Sequence, residues 1–225
     1  MIIAIDGPSG AGKSTLGKML AKELGLLYLD TGAMYRAVAL AVIHSGAELD
    51  DPENATRIGE SAKIELVGDP DQMQVFLEGI DVTSTIRTLE VAQAASIIST
   101  ISNVRKIMVR RQRDLGQNDP NGCVLEGRDI GSVVFPNADF KFFLTANPEA
   151  RARRRFAEDS AKGRVSSYDQ TLREINERDE RDVSREDSPL TIAADAVVID
   201  TSELDLSEVF EHMIGIIRST APETV

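Results

Sequence analysis

Short apolar runs recur along the chain, and most are followed by stretches with helical spacing. "MIIAID" (1–6) is continuously apolar until Gly7 and Pro8 stop it, which predicts a central strand of a parallel sheet. A helix is expected from about Lys13 to Leu24, ended by Gly25. "LLYL" then predicts a short strand and "GAMYRAVALAVIHSG" a helical stretch. Residues 63–83, "KIELVGDPDQMQVFLEGIDVT", break this rhythm: two short alternating runs flank the turn "GDPDQ" and predict a β-hairpin insertion. Helical stretches follow near 88–99 and 102–115, before the turn "GQNDPNG".

The second half resumes the alternation. Strand "CVLEG" leads into "RDIGSVVFP", and strand "FKFFLTA" into a helix opened by Asn147 as N-cap and Pro148 in the first turn. "DSAKGRVSS" reads as a flexible loop, after which Ser167 and Gln170 have capping-box spacing and open a highly charged helix. A last strand "AVVID" and a helix from about Leu206 to Arg218 close the pattern, with "STAPETV" expected to fray. Alternating strands and helices predict an α/β fold with a doubly wound parallel sheet and ligands at the carboxyl ends of its strands.

Composition narrows the function classes. The 225 residues suit one α/β domain with insertions. A net charge of −12 argues against a general binder of nucleic acid or anionic membrane, which needs a basic surface. The single cysteine, Cys123, lies in the apolar run "GCVLEG" and is expected to be a packed thiol rather than a nucleophile. No apolar stretch is long enough to span a bilayer, and the N-terminus lacks a basic start, so a soluble, cytoplasmic protein is expected.

The candidate chemistry begins at residue 7. Gly7, Gly12, Lys13 and Ser14 fill G-x4-G-K-[ST], between a predicted strand and a predicted helix. Residues Gly7, Pro8, Ser9, Gly10, Ala11, Gly12, Lys13, Ser14 and Thr15 would wrap backbone N–H groups around a nucleoside triphosphate, beside the positive end of the helix dipole. Lys13 would reach the β- and γ-phosphates, and the Ser14 hydroxyl would ligate Mg2+.

The phosphate acceptor is expected past the other strand ends, where arginines gather. Arg36 follows the second strand, with Asp30 and Thr31 at its end; Arg128 and Asp129 sit directly past "CVLEG". Arg105, Arg110, Arg111 and Arg113 occupy the helix before that strand, and Arg151, Arg153, Arg154 and Arg155 follow Pro148. Arg178, Arg181, Asp182 and Arg185 share the helix after Ser167. That helix fits two readings, a ligand clamp or a solvated face, with Glu174 four residues before Arg178 and Glu177 four before Arg181. A nucleotide-dependent switch is disfavoured, because no Asn is followed by Lys and the only D-x-x-G, "DPNG", lies in a polar turn.

"IDGPSGAGKST", "LDTGAMYRAVA", "IRTLEVAQAAS", "VRKIMVRRQR", "GRDIGSVVFP" and "ERDERDVSRE", in that order from about Ile2 to Val209, resemble the bacterial cytidylate kinases. The resemblance implies transfer of the ATP γ-phosphate to CMP or dCMP. It implies the nucleoside monophosphate kinase fold: a P-loop five-stranded parallel core with helices on both faces, an acceptor-binding β insertion (about 58–90) and a helical lid (about 151–185) within one domain. It further implies a monomer working on small-molecule nucleotides.

Residue by residue, the resemblance assigns Asp129 and Ser96 to the cytosine amino group and Arg105 to N3 or O2. Arg36, Arg128 and Arg178 would hold the acceptor phosphate, with Arg185 nearby, and Asp182 the ribose hydroxyls; Thr31 and Tyr35 complete the acceptor site. Lys13, Arg128 and Arg178 are the catalytic set it implies. Arg154 or Arg155 would reach the ATP phosphates or stack on adenine. Glu126 would either orient Mg2+-bound water or serve as a structural carboxylate. An attacking phosphate oxygen has a pKa of about 6 and needs no general base, so His44 and His212 are left without a role. A small-metabolite kinase of the shikimate or gluconate type is the alternative, sharing the loop but lacking the 63–83 hairpin.

Overall fold

In the computed structural model, which describes residues 1–161, 163 and 167–220, strands and helices alternate as the pattern predicts. Strand β1 (Ile2–Asp6) feeds α1 (Lys13–Leu24), then β2 (Leu27–Asp30), α2 (Thr31–Ser45) and α3 (Pro52–Ser61). The insertion holds β3 (Ile64–Val67), β4 (Gln74–Leu77) and β5 (Ile80–Asp81), followed by α4 (Leu89–Ile98) and α5 (Ser102–Asn118). Next come β6 (Cys123–Gly127), a π-helical turn (Ile130–Val134), β7 (Phe140–Thr145), α6 (Pro148–Ala161), α7 (Tyr168–Ser184), β8 (Val197–Asp200) and α8 (Leu206–Thr220). Residues 162 and 164–166 of the expected flexible loop, and 221–225 of the expected frayed tail, lie outside the described residues.

Five strands form one parallel sheet in the order β2-β6-β1-β7-β8. Its register aligns the carboxyl ends: Asp30 lies across from Glu126, and Asp6 across from Gly127 and Phe143. Alternation along each strand sorts the side chains. Ile3, Ile5, Tyr28, Val124, Phe142 and Leu144 pack with α1 and α8 on one face, whereas Ala4, Leu29, Cys123 and Leu125 pack with Ile130, Val134 and Phe135 on the other.

The expected hairpin is real and carries a third strand, making a small antiparallel sheet in the order β3-β4-β5. Val75, Leu77 and Val82 join a core with α2, α3, α4 and α5. Helix α3 has no counterpart among the expected elements. Its signals are local: Asp51 accepts from the N–H groups of Glu53 and Asn54, and Pro52 occupies the first turn.

Helix α5 runs past Gly116 to Asn118, beyond the expected stop. The glycine there serves packing: a Cβ would sit 2.9 Å from the Phe135 ring and 3.0 Å from Cys123 Sγ. Cys123 is fully buried, as expected for a packed thiol, and burial pushes its thiol up to about 12. His44 and His212 are both exposed on the surface. No described helix is long and apolar enough to cross a membrane.

Two helical glycines have opposite expected outcomes in thermal denaturation. Gly116→Ala destabilises by about 1–3 kcal/mol, because both neighbouring groups are buried and cannot retreat. Gly215→Ala in α8 meets nothing within 4 Å and stabilises by about 0.5–1 kcal/mol. Cys123 is expected to resist iodoacetamide at pH 8 in the native state and to react on unfolding, as mass spectrometry reads. The folded protein keeps the thiol proton that an unfolded chain loses, so this group lowers stability as pH climbs from about 9 to about 12.

Candidate active site

The segment between β1 and α1 makes the phosphate loop. Gly7 has φ 140°, and a Cβ there would stand 2.0 Å from the Leu144 carbonyl, so only glycine lets the chain turn beneath β7. Gly12, at φ 93°, is the N-cap of α1 and has no side chain to occupy its first N–H groups. That leaves a curled backbone and a helix N-terminus facing the same space, the arrangement that binds a polyphosphate. Lys13 is buried and donates to the Pro8 carbonyl at 2.7 Å. Burial, then the charges of Arg128 and Arg178, push its ammonium down to about 7.

Glu126 lies on the Val124 side of β6, the face covered by α1. It is buried, receives a hydrogen bond from Ser14 and accepts the Tyr28 hydroxyl proton. Burial first, and the carboxylate of Asp30 second, raise its pKa; burial and Glu126 likewise raise the Tyr28 phenol, which keeps its proton and donates it to Glu126. Gly17 makes this possible, since a Cβ on α1 would come within 3.0 Å of the Tyr28 ring. The carboxylate therefore stands beside the hydroxyl expected to ligate Mg2+.

Asp30 ends β2 and caps α2, accepting from Ala33 N at 2.9 Å and from Arg36 NH2 at 2.8 Å. Burial would raise its carboxyl, but Arg36 and the Ala33 N–H hold it below the usual range. Thr31 is buried with its hydroxyl donated to the Glu126 carbonyl at 2.6 Å. From α5, Arg105 turns inward and binds Asp129 Oδ2 at 2.5 Å and the Ser99 carbonyl at 3.1 Å, with Tyr35 ring-on at 5.7 Å. Burial pushes the Tyr35 phenol up to about 12, so it is neutral. Ser96 Oγ and Arg105 Nε are buried with no hydrogen-bond partner among the described residues.

Helix α7 supplies the rest, and it is a clamp on one side and solvated on the other. Asp182 accepts from Arg128 Nε at 2.7 Å; Arg128 and Arg178 outweigh burial and hold its carboxyl low. Arg185 approaches Asp129 and Asp182, each at 3.9 Å, and donates to the Ser188 carbonyl at 2.6 Å. Among the described residues Arg178 donates to Ser9 Oγ alone, at 3.5 Å; burial and then Arg128 lower its pKa to about 9, which leaves it charged at neutral pH. The Glu174–Arg178 surface pair expected from spacing does not form: Arg178 points inward and Glu174 accepts from Gln170 at 3.0 Å. Arg181, by contrast, is exposed.

The other arginine clusters divide similarly. Arg110 and Arg111 tie α5 to Glu60 and Ala62, and Arg113 binds the Val133 and Val134 carbonyls. Arg151 is buried against Asp179 (2.5 Å) and the Ser9 carbonyl (3.1 Å), while Arg153 is exposed. Arg154 is held by Thr201, beside Leu204 and Leu206. Arg155 pairs with Asp159 at 3.3 Å and adds to the positive field at Arg178.

One cleft of about 920 Å³ collects these groups, from Ser9–Thr15 of the loop to Tyr35, Arg36, Ser96, Arg105, Asp129, Arg178, Asp182 and Arg185. Gly7 and Pro8 shape the loop without lining the cleft. Sequence reasoning missed Arg87, which ends a 3-10 turn (Thr85–Arg87) in the "IRTLEVAQAAS" segment, and the Thr201–Leu206 wall beyond β8. The position after the last core strand, where ligand-binding loops of a parallel sheet gather, is the signal that could have pointed to that wall.

Comparison with known proteins agrees with this arrangement. A family model described as cytidylate kinase matches residues 3–219. A cytidylate kinase of Halalkalibacterium halodurans is 47% identical over 218 residues, 97% of each chain. One of Mycobacterium leprae is 47% identical over 219 residues, 97% of this chain and 96% of that one. Among solved structures, an uncharacterized protein from Eubacterium ventriosum aligns with a TM-score of 0.52 and 12% identity over 97% and 99% of the two chains, which speaks for the fold alone. Continuous similarity from β1 to α8, with a phosphate loop and an arginine-lined acceptor cleft in one sheet rim, places the chain in the cytidylate kinase family.

Proposed function

We propose that the cleft passes the γ-phosphate of ATP in line to CMP or dCMP, giving ADP and CDP or dCDP. The observation that carries this reading is the buried Arg105–Asp129 pair, 2.5 Å apart, with the unpartnered Ser96 hydroxyl beside it in the same cleft as the phosphate loop. Cytosine offers an amino donor next to two acceptors. The Asp129 carboxylate and Ser96 Oγ accept from the amino group, and Arg105, whose Nε is free, donates to N3 or O2. Uracil carries an acceptor where cytosine has the amino group, and would leave the Asp129 carboxylate unpaired.

The acceptor phosphate falls to Arg36, Arg128 and Arg178, whose planar forks bind phosphate oxygens in pairs and stay charged. Arg36 Nε and Arg178 Nε are buried and unpartnered among the described residues, which supports this role. Arg185 stands near these cations and Asp182 takes the ribose hydroxyls, with Thr31 and Tyr35 bounding the acceptor site.

At the donor end the loop N–H groups from Gly7 to Thr15 and the Lys13 ammonium hold the β- and γ-phosphates, and Arg154 or Arg155 reaches the ATP phosphates or stacks on adenine. The oxygen donors fit Mg2+: Ser14 as direct ligand, with Glu126 placed to order metal-bound water. Mg2+, when bound, draws charge from the β- and γ-phosphate oxygens. Among the described residues no group of three His, Cys, Asp or Glu side chains forms a metal cage, and a metal bound through substrate phosphates requires none. Lys13, Arg128 and Arg178 then neutralise the transferring group while the acceptor oxygen, already ionised, attacks. The chain works as one unit, with residues of about 58–90 as acceptor-binding insertion and about 151–185 as lid.

A coupled ADP-release assay across CMP, dCMP, UMP, AMP, shikimate and gluconate tests the reading: CMP and dCMP are expected to dominate, and turnover with another acceptor but not with CMP would overturn it. Asp129→Ala is expected to lower kcat/KM for CMP by roughly a hundredfold or more while leaving the Kd for an ATP analogue within about threefold. Equal loss of both would make Asp129 a structural residue. Lys13→Ala should reduce transfer to every acceptor by about 10³-fold or more with an unchanged circular dichroism spectrum, the scale of removing a positioned cation from a transferring phosphate.

A further inference from the structure

Asp6 closes β1, and strand alternation puts its side chain on the Ala4 face, toward the segment that follows β6. It is 5% exposed and does not line the cleft. Its two carboxylate oxygens each take one backbone N–H, Ile130 N at 2.8 Å and Gly131 N at 2.7 Å. These amides begin the π-helical turn, where N–H groups have no partner within the turn itself. Burying a carboxylate is costly, and two charge-assisted bonds to adjacent N–H groups offset that cost while fixing the turn in two places.

The rest of the turn is anchored from other directions. Arg113 holds the Val133 and Val134 carbonyls, Lys141 Nζ holds the Pro136 carbonyl at 2.5 Å, and a Cβ at Gly131 would press on Lys141 Cδ at 3.1 Å. The first two N–H groups of the turn are held by Asp6, while the Asp129 carbonyl accepts from the Val133 and Val134 N–H groups at 2.9 and 3.1 Å. Immediately before it stand Arg128 and Asp129, the latter at φ −144°, ψ 25°, outside any regular element. Their side chains reach the cleft while the next two amides are bound from beneath the sheet.

We infer that Asp6 is a positioning residue for acceptor recognition: by holding Ile130 and Gly131 it sets where Arg128 and Asp129 stand, and so sets the preference for cytosine over uracil. This rests on the base-reading role proposed for Asp129. Since Gly7 follows Asp6 directly, the same residue ties the phosphate loop to the segment that reads the acceptor. Asparagine keeps the shape but offers one acceptor oxygen and turns an NH2 toward an N–H, so one bond is replaced by a repulsion.

The test compares kcat/KM for CMP and UMP in the wild-type protein, Asp6→Asn, Asp129→Ala and Met213→Ala, the last a remote core truncation in α8 that loses stability without touching the turn. Partial unfolding lowers both acceptors alike, so a merely structural role leaves the CMP:UMP ratio unmoved. Asp6→Asn is expected to lower that ratio by about tenfold or more, since a displacement of about 1 Å can cost 10²-fold in rate. A ratio unchanged in Asp6→Asn but collapsed in Asp129→Ala overturns the inference alone. A ratio unchanged in both removes the base-reading role of Asp129, and the inference with it. An equal change in Met213→Ala also overturns it. If Asp6→Asn does not fold, amide exchange in the wild-type protein decides: Ile130 and Gly131 protected as strongly as the β1 ladder support the inference, and exchange at the rate of an exposed turn overturns it.

Discussion

The whole cleft answers to one constraint: a buried ionised group must find a counter-charge. Leaving one unpaired inside a protein costs several kcal/mol, and pairing recovers most of it. The cleft meets that demand with arginines and aspartates from different elements. Arg36 meets Asp30 between α2 and the end of β2, Arg105 meets Asp129 between α5 and the segment after β6, and Arg128 meets Asp182 on α7. Arg151 meets Asp179 between α6 and α7 and also holds the phosphate loop at Ser9. All but the Arg36–Asp30 pair, which closes the start of α2, join segments distant in the chain. Lys13, bound to a carbonyl, and Arg178, bound to a hydroxyl, stand outside this scheme. Their positive charge faces the space where phosphates are proposed to meet.

Strand direction and alternation deliver these groups to one place. The parallel register lines up Asp30, Glu126 and Asp6 along one rim, and the period of two decides which side each faces. Glu126 turns toward α1 and the phosphate loop, and Asp6 turns the opposite way, toward the π-helical turn. Neighbouring strands thus brace the phosphate loop from one face and the segment carrying Arg128 and Asp129 from the other, and both segments border the same cleft.

Much of this was legible in the sequence because it is local. The loop from Gly7 to Ser14, the strand runs, the Ser167 cap and the interruption at 63–83 are set by residues within a few positions of each other. The Asp51–Pro52 start of α3 is equally local and was simply overlooked, while β5, two residues long, has no periodicity to read. Partner choice is the part that eludes a linear reading. Helical spacing offered Glu174 to Arg178, yet the inward face of α7 took the arginine. Tyr28 and Glu126 meet across 98 positions, and Asp6 and Gly131 across 125, distances over which only the folded sheet has information. Roles inside the cleft came from family resemblance, since arginine clusters alone did not separate Arg178 from Arg181.

The uniform strand direction has a consequence for the opposite rim. There the chain turns back at Gly25 before β2, exposed to solvent and with nothing within 4 Å of where a Cβ would stand. Reactive groups and tolerant bends are segregated to the two poles of the same sheet. The far pole is consequently the place where a fluorophore, an affinity handle or a grafted peptide can be carried without crowding the nucleotides.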